Sequence, residues 1–221
     1  MTAAEVVQLI KTDPETLMRR VSLKIFGGRT TLSSVYEFIV VDAGRTMPGF
    51  TTGVSGLLRQ RKDRPVFNIK LRRTAFPGEI AAAEDGASFF AEYVAMRQVS
   101  DGRHNTHRML PAHGGPDIMV TSQLSGCTFG IGSNAGGNRL VSHIQPPQSE
   151  KNLDIRRGQL SDATRRGFAP GSEFSKFERG GDYQNDAAIL GIRRNGEWQI
   201  YAQHIDVRAG ERDVAKVTRL L

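Results

Sequence analysis

The sequence has only one cysteine among its 221 residues, Cys127. A single cysteine excludes an internal disulfide and leaves one thiol available for chemistry. No stretch approaches the roughly 18 consecutive apolar residues of a membrane-spanning helix, so we expect no membrane span. The N-terminus lacks the basic and then apolar layout of a classical signal peptide. Zinc-finger spacing, RNA-binding aromatic motifs and a clear helix-turn-helix pattern are also missing.

The chain also lacks an evident linker, an internal repeat and a low-complexity tract. Its hydrophobic fraction is 38% and its charged fraction is 24%, which are values typical of a soluble globular protein. A chain of this length can bury a sizeable core. We therefore predict a single catalytic domain over residues 1–221, in which residues 1–30 form an N-terminal helical extension. We expect a monomer.

Positive charge is the main compositional bias, with a net charge of +7 and a pI near 9.9. Two interpretations are open: a solvated basic face, which we favour, or a surface that steers an acidic protein partner toward the site. Because no nucleic-acid-binding motif accompanies the charge, we expect no nucleic acid as substrate. The basic residues cluster at Arg59, Arg61, Lys62, Arg64, Lys70, Arg72 and Arg73.

The stretch around the cysteine carries the strongest functional signal. Cys127, Phe129 and Ile131 alternate with small or polar residues, which indicates a strand with one buried face. A hairpin that turns at residues 134–136 would place opposite each other those positions whose numbers sum to 270, so that Cys127 faces His143. Opposed side chains lie close enough for a thiol and an imidazole to react together. The alternative is a packed cysteine beside an incidental histidine.

The motif Leu124-Ser125-Gly126-Cys127 resembles the Leu-Ser-Gly-Cys signature of the cytotoxic necrotizing factor and Burkholderia lethal factor deamidases. The segment is also similar to the chemoreceptor glutamine deamidases, which carry a threonine six residues before the cysteine and a His-x-x-Leu-Pro sequence after it. Thr121 stands at the first place, and residues 143–147 read His-Ile-Gln-Pro-Pro at the second. The order Ser-Gly before the cysteine and a proline at the leucine position depart from the chemoreceptor pattern. The resemblance covers about thirty residues, from Ile118 to Pro147.

The resemblance implies an enzyme that converts a glutamine of a target protein to glutamate through a thioester. Cys127 would be the nucleophile, His143 its base, and Thr121 the group that orients the imidazole. Ser125 and Gly126 would shape a turn whose backbone N–H groups stabilise the oxyanion. No cofactor and no metal are implied. A cysteine protease or transglutaminase with the same dyad, and a non-enzymatic basic binding protein, are the alternatives.

The same resemblance implies a toxin or effector. Such a protein would be bacterial, secreted without a classical signal peptide and active in the cytosol of a target cell. Its substrate would be a target-cell protein such as a GTPase or a translation factor. The sequence does not identify which protein, or which glutamine, is modified.

For the fold we predict the α+β class, as a β-sandwich of mixed sheets flanked by helices in α/β/β/α layers; this layering is the part that the resemblance implies. The pattern predicts helices at residues 3–10 and 14–21 and a core-packing helix at 84–99. Strands are predicted at 35–41 and 66–71, a hairpin at 187–205 around Asn195-Gly196, and a short strand or helix at 214–221. Residues 150–166 show only a weak helical pattern.

Two polar segments remain. His104, His107 and His113 fall in a stretch that we interpret as a mobile surface loop, in preference to a zinc site, because no carboxylate or cysteine stands at ligand spacing. Residues 167–186 read as a long loop rich in glycine and serine, and we expect it to border the active-site cleft.

Overall fold

The structure is a computed structural model. It describes residues 1–27, 34–47, 50–52, 59–61, 64–84, 86–98, 107–133, 138–146, 158, 165, 168, 174–208 and 211–221. The fold is α+β and dominated by strands, as predicted.

Two helices open the chain, and local signals set their ends. In α1 (Ala3–Thr12), the Thr2 hydroxyl accepts from the Glu5 N–H while the Glu5 carboxylate accepts from the Thr2 N–H. Asp13 caps α2 (Pro14–Arg20), whose first position is proline. Both predicted helices are confirmed, and their apolar residues lie in the core of the molecule. A third helix, α3, spans Pro77–Ala81.

Eight strands form the larger sheet. In sheet order they are β1 (Ser22–Phe26), β5 (Arg64–Leu71), β2 (Ser34–Met47), β6 (Ser88–Val94), β9 (Ile118–Thr121), β13 (Asp186–Arg194), β14 (Glu197–Arg208) and β15 (Glu211–Arg219). The pairs β1–β5 and β6–β9 are parallel and the others antiparallel, so the sheet is mixed.

The smaller sheet has five strands. Its order is β12 (Phe174–Glu178), β10 (Thr128–Ser133), β11 (Arg139–Gln145) and β7 (Met96–Gln98), and β8 (His107–Leu110) also pairs with β11. The short strands β3 (Phe50–Thr52) and β4 (Arg59–Arg61) pair with each other.

Around β9 and β13 the larger sheet is buried on both faces, and alternate residues of one strand pack in different cores. On β13, Ala188, Leu190 and Ile192 pack in the core shared with α1 and α2. Ala187 and Ile189 pack on the opposite face with residues of the smaller sheet such as Phe129. The described elements therefore form three layers, helices on sheet on sheet, and the second core lies between the two sheets.

The helix predicted at residues 84–99 is wrong, because this segment forms β6 and β7. Phe89, Ala91 and Tyr93 lie in the helix-side core, whereas Phe90 between them is 60% exposed, which is the period-2 burial of a strand. The aromatic residues fit a helical spacing equally well in the sequence. Pairing with β2 on one side and β9 on the other decides the conformation.

The remaining elements follow the prediction where the structure describes them. The strands at 35–41 and 66–71 and the hairpin at 187–205 are confirmed, and both turn residues of the hairpin, Asn195 and Gly196, have positive φ. The end of the chain is a strand, β15, rather than a helix. The weak helical pattern at 150–166 lies outside the described residues except at 158 and 165. None of the helices described combines the length and apolarity needed to cross a membrane.

One buried side chain joins the helices to the larger sheet. The amide nitrogen of Gln203 on β14 donates to the carbonyl oxygens of Met18 and Val21, at 2.6 and 2.7 Å. Its amide oxygen accepts from the backbone N–H of Leu23 at 2.8 Å. Gln203 is fully buried, and both ends of its amide are hydrogen-bonded.

Candidate functional site

The predicted catalytic residues lie where the chain passes twice from the larger sheet to the smaller one. The first passage runs from β6 through Ala95 into β7, and the second runs from β9 through residues 122–127 into β10. The two passages are adjacent because Val94 and Thr121, the last residues of β6 and β9, are neighbours in the sheet. Sequence positions far apart therefore meet at one point between the sheets.

Thr121 and His143 are in direct contact across the two sheets. The Thr121 hydroxyl donates to the carbonyl oxygen of Val94 at 2.7 Å, and its oxygen lies 2.7 Å from Nδ1 of His143. Because the hydroxyl proton is committed to Val94, the hydroxyl oxygen accepts, and Nδ1 of His143 must carry the proton. This assigns the neutral tautomer whose Nε2 has a free lone pair.

Nε2, the other ring nitrogen of His143, is available to a different partner. His143 is fully buried, and its Nε2 makes no hydrogen bond within the described part of the chain. Burial lowers the pKa of His143 to about 3, because the surrounding core does not solvate an imidazolium. The imidazole is thus neutral near pH 7, and Nε2 is a buried proton acceptor.

Cys127 lies immediately before β10 and is 3% exposed. Its Sγ is 3.9 Å from Sδ of Met96, and Met96 stands beside His143 in the parallel pairing of β7 with β11. Cys127 packs in the inter-sheet core together with Phe129, the residue directly opposite His143. Cys127 and His143 therefore share the face of the smaller sheet that is directed toward the larger one.

The predicted hairpin register is wrong by two residues. Phe129, not Cys127, is directly opposite His143, so paired positions sum to 272. The connection between Ser133 and Arg139 has five residues rather than three, and the predicted turn at 134–136 lies outside the described residues. A shift of two keeps every side chain on its face. Cys127 thus becomes a diagonal neighbour of His143, a position that is about 7–8 Å away between Cα atoms in a regular ladder.

The turn that presents Cys127 is fixed at its start. The Gln123 N–H donates to Ile25 O at 3.0 Å, and Leu124 exchanges two backbone hydrogen bonds with Ala187. Gly126 has φ +89°, a conformation that side chains with a Cβ rarely adopt. The predicted oxyanion residues Ser125 and Gly126 therefore do lie in a tight turn directly before Cys127.

Tyr183 is part of this site and was not found from the sequence. Its hydroxyl donates to the carbonyl oxygen of Cys127 at 2.6 Å, and its ring stacks on Phe177. Burial raises the pKa of Tyr183 above its usual range, while backbone hydrogen bonds at Gly126 and Cys127 act in the opposite direction. Tyr183 belongs to the segment 167–186, which we predicted as a long loop that borders the cleft. The loop prediction is wrong at Phe174–Glu178, which form β12. Tyr183 itself lies beside the predicted nucleophile.

A cavity of about 340 Å³ opens beside the turn. Its wall combines the apolar side chains of Ile25, Phe26 and Met96 with the polar groups of Lys24, Ser122, Gln123, Ser125 and Asp186, and with Gly27. Met96 contacts both the cavity and the sulfur of Cys127, so the cavity reaches to within one side chain of the thiol. An apolar wall with a few convergent polar groups is typical of a ligand-binding site.

Gly27 has a steric role in this wall. A Cβ built at position 27 would stand 1.9 Å from the hydroxyl oxygen of Tyr93, which is far inside the contact distance of two atoms. Only glycine lets the end of β1 approach Tyr93 so closely.

The structure describes two of the three histidines singled out in the sequence. His104 lies outside the described residues. His107 lies in β8 rather than in a loop, and its ring meets Phe168 edge to face. His113 lies in the 111–117 segment, where Arg193 bonds to Pro111 O and Gly114 O. No group of three His, Cys, Asp or Glu side chains suited to a metal occurs among the residues described.

The basic cluster is largely engaged within the protein where it is described. Lys70 pairs with Glu79, and Arg72 pairs with Glu37. Arg64 donates to Val214 O at 2.8 Å, and the Arg73 guanidinium lies 4.9 Å from the Tyr36 ring centre. The side chains of Arg59 and Arg61, and Lys62 as a whole, are outside the described part.

Comparisons with known proteins give a likeness to solved structures. No protein-family model matches the sequence, and no curated protein matches it. Among solved structures, the chain is similar to the C-terminal domain of CNFy from Yersinia pseudotuberculosis. The similarity covers 99% of both chains, with 10% sequence identity and a TM-score of 0.40. A likeness of this size assigns neither a family nor an activity to the chain.

Proposed function

We propose that the protein is a cysteine-dependent glutamine deamidase in which Cys127 is the nucleophile, His143 the base and Thr121 the group that orients the imidazole. The observation that carries the proposal is the bonding of His143. Thr121 holds the proton on Nδ1, and Nε2 is left as a buried acceptor without a partner among the described residues. Cys127 shares the sheet face of that imidazole.

The first step is proton transfer followed by attack. Burial lowers the pKa of His143 to about 3, so the imidazole is neutral near pH 7 and its Nε2 lone pair is unprotonated. The same burial makes it a weak base, so the transfer depends on the thiolate that forms beside the imidazolium. Nε2 takes the thiol proton of Cys127 as the sulfur attacks the carboxamide carbon of the substrate glutamine. The Thr121 hydroxyl stabilises the imidazolium that forms, since its oxygen accepts the Nδ1–H.

The tetrahedral intermediate then collapses. Its oxyanion is stabilised by backbone N–H groups of the turn at Ser125–Cys127, which the positive φ of Gly126 bends. Nε2 returns the proton to the amide nitrogen, the C–N bond breaks and ammonia leaves, so that a thioester remains on Cys127. Water, deprotonated by the same nitrogen, hydrolyses the thioester to glutamate and restores the thiol.

The cavity supports glutamine as the substrate side chain. Its apolar residues, among them Phe26 and Met96, suit the two methylene groups of a glutamine, and Ser122, Gln123 and Ser125 supply polar partners for the carboxamide. Lys24 and Asp186 bring one charge of each sign. The wall therefore has no excess charge of one sign among its lining residues to select an acidic or a basic side chain.

The biological setting belongs to the same proposal. We propose a toxin or effector whose substrate is a protein of the target cell, such as a GTPase or a translation factor. Conversion of one glutamine to glutamate adds a negative charge at a chosen position, which is enough to disable a switch or a catalytic glutamine.

The test is proteomics on target-cell lysate treated with the wild-type protein or with the Cys127→Ser variant. The proposal expects Gln-to-Glu conversion at a small number of sites with the wild-type protein and none with the variant. Cleaved peptides would instead indicate a protease, and amine adducts a transglutaminase. Conversion that persists in the Cys127→Ser sample contradicts the proposal.

A further inference from the structure

Gln123, in the wall of the cavity, has a buried side-chain amide with no hydrogen-bond partner among the residues that the structure describes. Neither Oε1 nor Nε2 of its side chain is exposed, and neither finds a partner within the described residues. A 180° flip of the amide, which exchanges Oε1 and Nε2, would leave both atoms equally unpaired. The backbone of Gln123 is held by Ile25 O, so the residue is anchored while its functional group is not used.

The neighbouring Ser122 is 9% exposed and lines the same cavity, and its hydroxyl interacts with the hydroxyl of Tyr93. Buried polar groups in folded proteins are almost always satisfied, because leaving one unpaired costs free energy. An amide in the cavity wall with neither end paired among the described residues indicates that the partner is a molecule that enters the cavity.

We infer that Gln123 is a substrate-recognition residue whose side-chain amide pairs with the carboxamide of the incoming side chain. This inference rests on the proposed function, and it names the group that reads the substrate. The Gln123 oxygen accepts one N–H of the substrate amide, and the Gln123 nitrogen donates to the substrate carbonyl. Ser122 supplies a further hydroxyl at the same wall.

Such a pairing distinguishes the substrate from its product. A carboxamide offers one donor and one acceptor to Gln123, whereas the carboxylate formed by deamidation offers acceptors only. After the reaction the Gln123 oxygen therefore faces an oxygen in place of an N–H group. A site built to bond an N–H discriminates strongly against a group that lacks it, so the product is released.

The single cysteine allows a test that does not require deamidation. Iodoacetamide carries a carboxamide next to its reactive carbon; the sulfur of Cys127 attacks that carbon, iodide leaves, and the thiol proton passes to a base. The compound 2-iodoethanol reacts in the same way but carries a hydroxyl in place of the amide. Both rates are measured by intact mass in native protein and are divided by the rate of each reagent with free cysteine.

We expect wild-type protein to prefer iodoacetamide over 2-iodoethanol about tenfold after this correction, and Gln123→Met to lose the preference. Gln199→Met is the control, because Gln199 lies on β14 outside the cavity wall and its amide oxygen accepts from Tyr201. We expect this control to keep the wild-type ratio of the iodoacetamide rate to the 2-iodoethanol rate. The unfolding temperature of each variant is measured, and Gln123→Met is expected to be at least as stable as wild type because it removes two unpaired polar atoms.

The outcomes separate this inference from the proposed function. A preference that is lost in Gln123→Met, in a protein that deamidates nothing, supports the recognition site and contradicts the deamidase. A second outcome is that the protein deamidates its target and that wild type and Gln123→Met show the same preference for iodoacetamide. This result contradicts the recognition role of Gln123 but leaves the proposed deamidase activity in place. Failure of iodoacetamide to label native Cys127 also overturns the inference, since the cavity would then give no access to the sulfur.

Discussion

Gln203 and Gln123 are two glutamines with buried amides and opposite bonding. Gln203, between the helices and the larger sheet, uses both ends of its amide to bind the backbone of Met18, Val21 and Leu23. Gln123, in the cavity wall, forms a bond with neither end within the described part of the chain. The difference teaches that the burial of a polar side chain does not identify its role, whereas its hydrogen bonds do.

The contrast extends to the regions around the two residues. Among the described residues, buried polar atoms without partners recur on the smaller sheet and at the turn before it; they belong to Gln123, Thr128, Ser142, His143 and Gln145, and Asn68 on the larger sheet has one as well. We therefore expect substitutions near Gln203 to reduce stability, and substitutions near Gln123 to reduce activity at little cost in stability.

The largest effect is expected at the predicted dyad. Cys127→Ser and His143→Gln should each lower kcat/KM at least about a thousandfold, because the nucleophile or its base is removed. Urea unfolding should show a stability close to that of wild type. If a variant loses activity only to the extent that it loses folded protein, its effect is on stability. The contrast between the regions of Gln203 and Gln123 would then not hold.

The next effect concerns acid stability. The pKa of His143 is about 3 in the folded protein against 6.5 as its ordinary value, so below pH 6.5 the unfolded chain binds a proton that the folded protein does not. Stability is therefore lost as pH falls from 6.5 toward 3, by an amount on the order of 4 kcal/mol at the end of this window.

Urea unfolding from pH 7 to pH 4 in wild type and His143→Gln measures this effect. The variant lacks the titrating imidazole, so its stability should fall less steeply with pH. Parallel pH profiles in the two proteins would show that the imidazole is not held neutral by burial.

Gln203→Met should destabilise the protein by about 2–4 kcal/mol, because it leaves one backbone N–H and two carbonyl groups buried and unpaired. The matched substitution Gln123→Met should change the free energy of unfolding by less than about 1 kcal/mol. Chemical denaturation of both variants measures the pair side by side. Equal losses would mean that the amide of Gln123 has bonds of its own and is not kept for a ligand.

Thr121→Val tests the orientation of the imidazole. Valine keeps the shape of threonine but removes the hydroxyl that accepts the Nδ1–H of His143, so activity should fall about 10–100-fold. Thr121→Ser restores that hydroxyl and should recover most of the rate. If valine and serine behave alike, the hydroxyl does not position the ring.

Tyr183→Phe should have the smallest effect. The variant keeps the stacking on Phe177 but loses the hydrogen bond to the Cys127 carbonyl, which is worth about 0.5–1.5 kcal/mol in stability. We expect a reduction of a few-fold in kcat with KM unchanged, because the turn is held less firmly. An unchanged kcat would show that the turn does not depend on Tyr183.

Features set by neighbouring residues could be predicted from the sequence. The Asp13-Pro14 helix start and the Asn195-Gly196 turn are short-range signals, and each appears in the structure at the predicted place. The approach of Thr121 to His143 was implied by the resemblance of the motif. The structure brings these two side chains into contact.

Features that depend on distant residues could not be predicted. Tyr183 reaches Cys127 across 56 positions, and no local signal marks it. The segment 84–99 fits a helix and a strand equally well until β2 and β9 pair with it. Gln123 lies between Thr121 and Cys127 in the sequence, but a sequence does not show whether a side-chain amide has hydrogen-bond partners.

The reactivity of the thiol tests the central claim, that His143 acts on Cys127, without knowledge of the substrate. Intact-mass measurement of iodoacetamide labelling in native protein at pH 7 compares wild type with His143→Gln. The account predicts that wild type reacts at least about tenfold faster, because the neutral imidazole takes the thiol proton. Equal rates in the two folded proteins would contradict it.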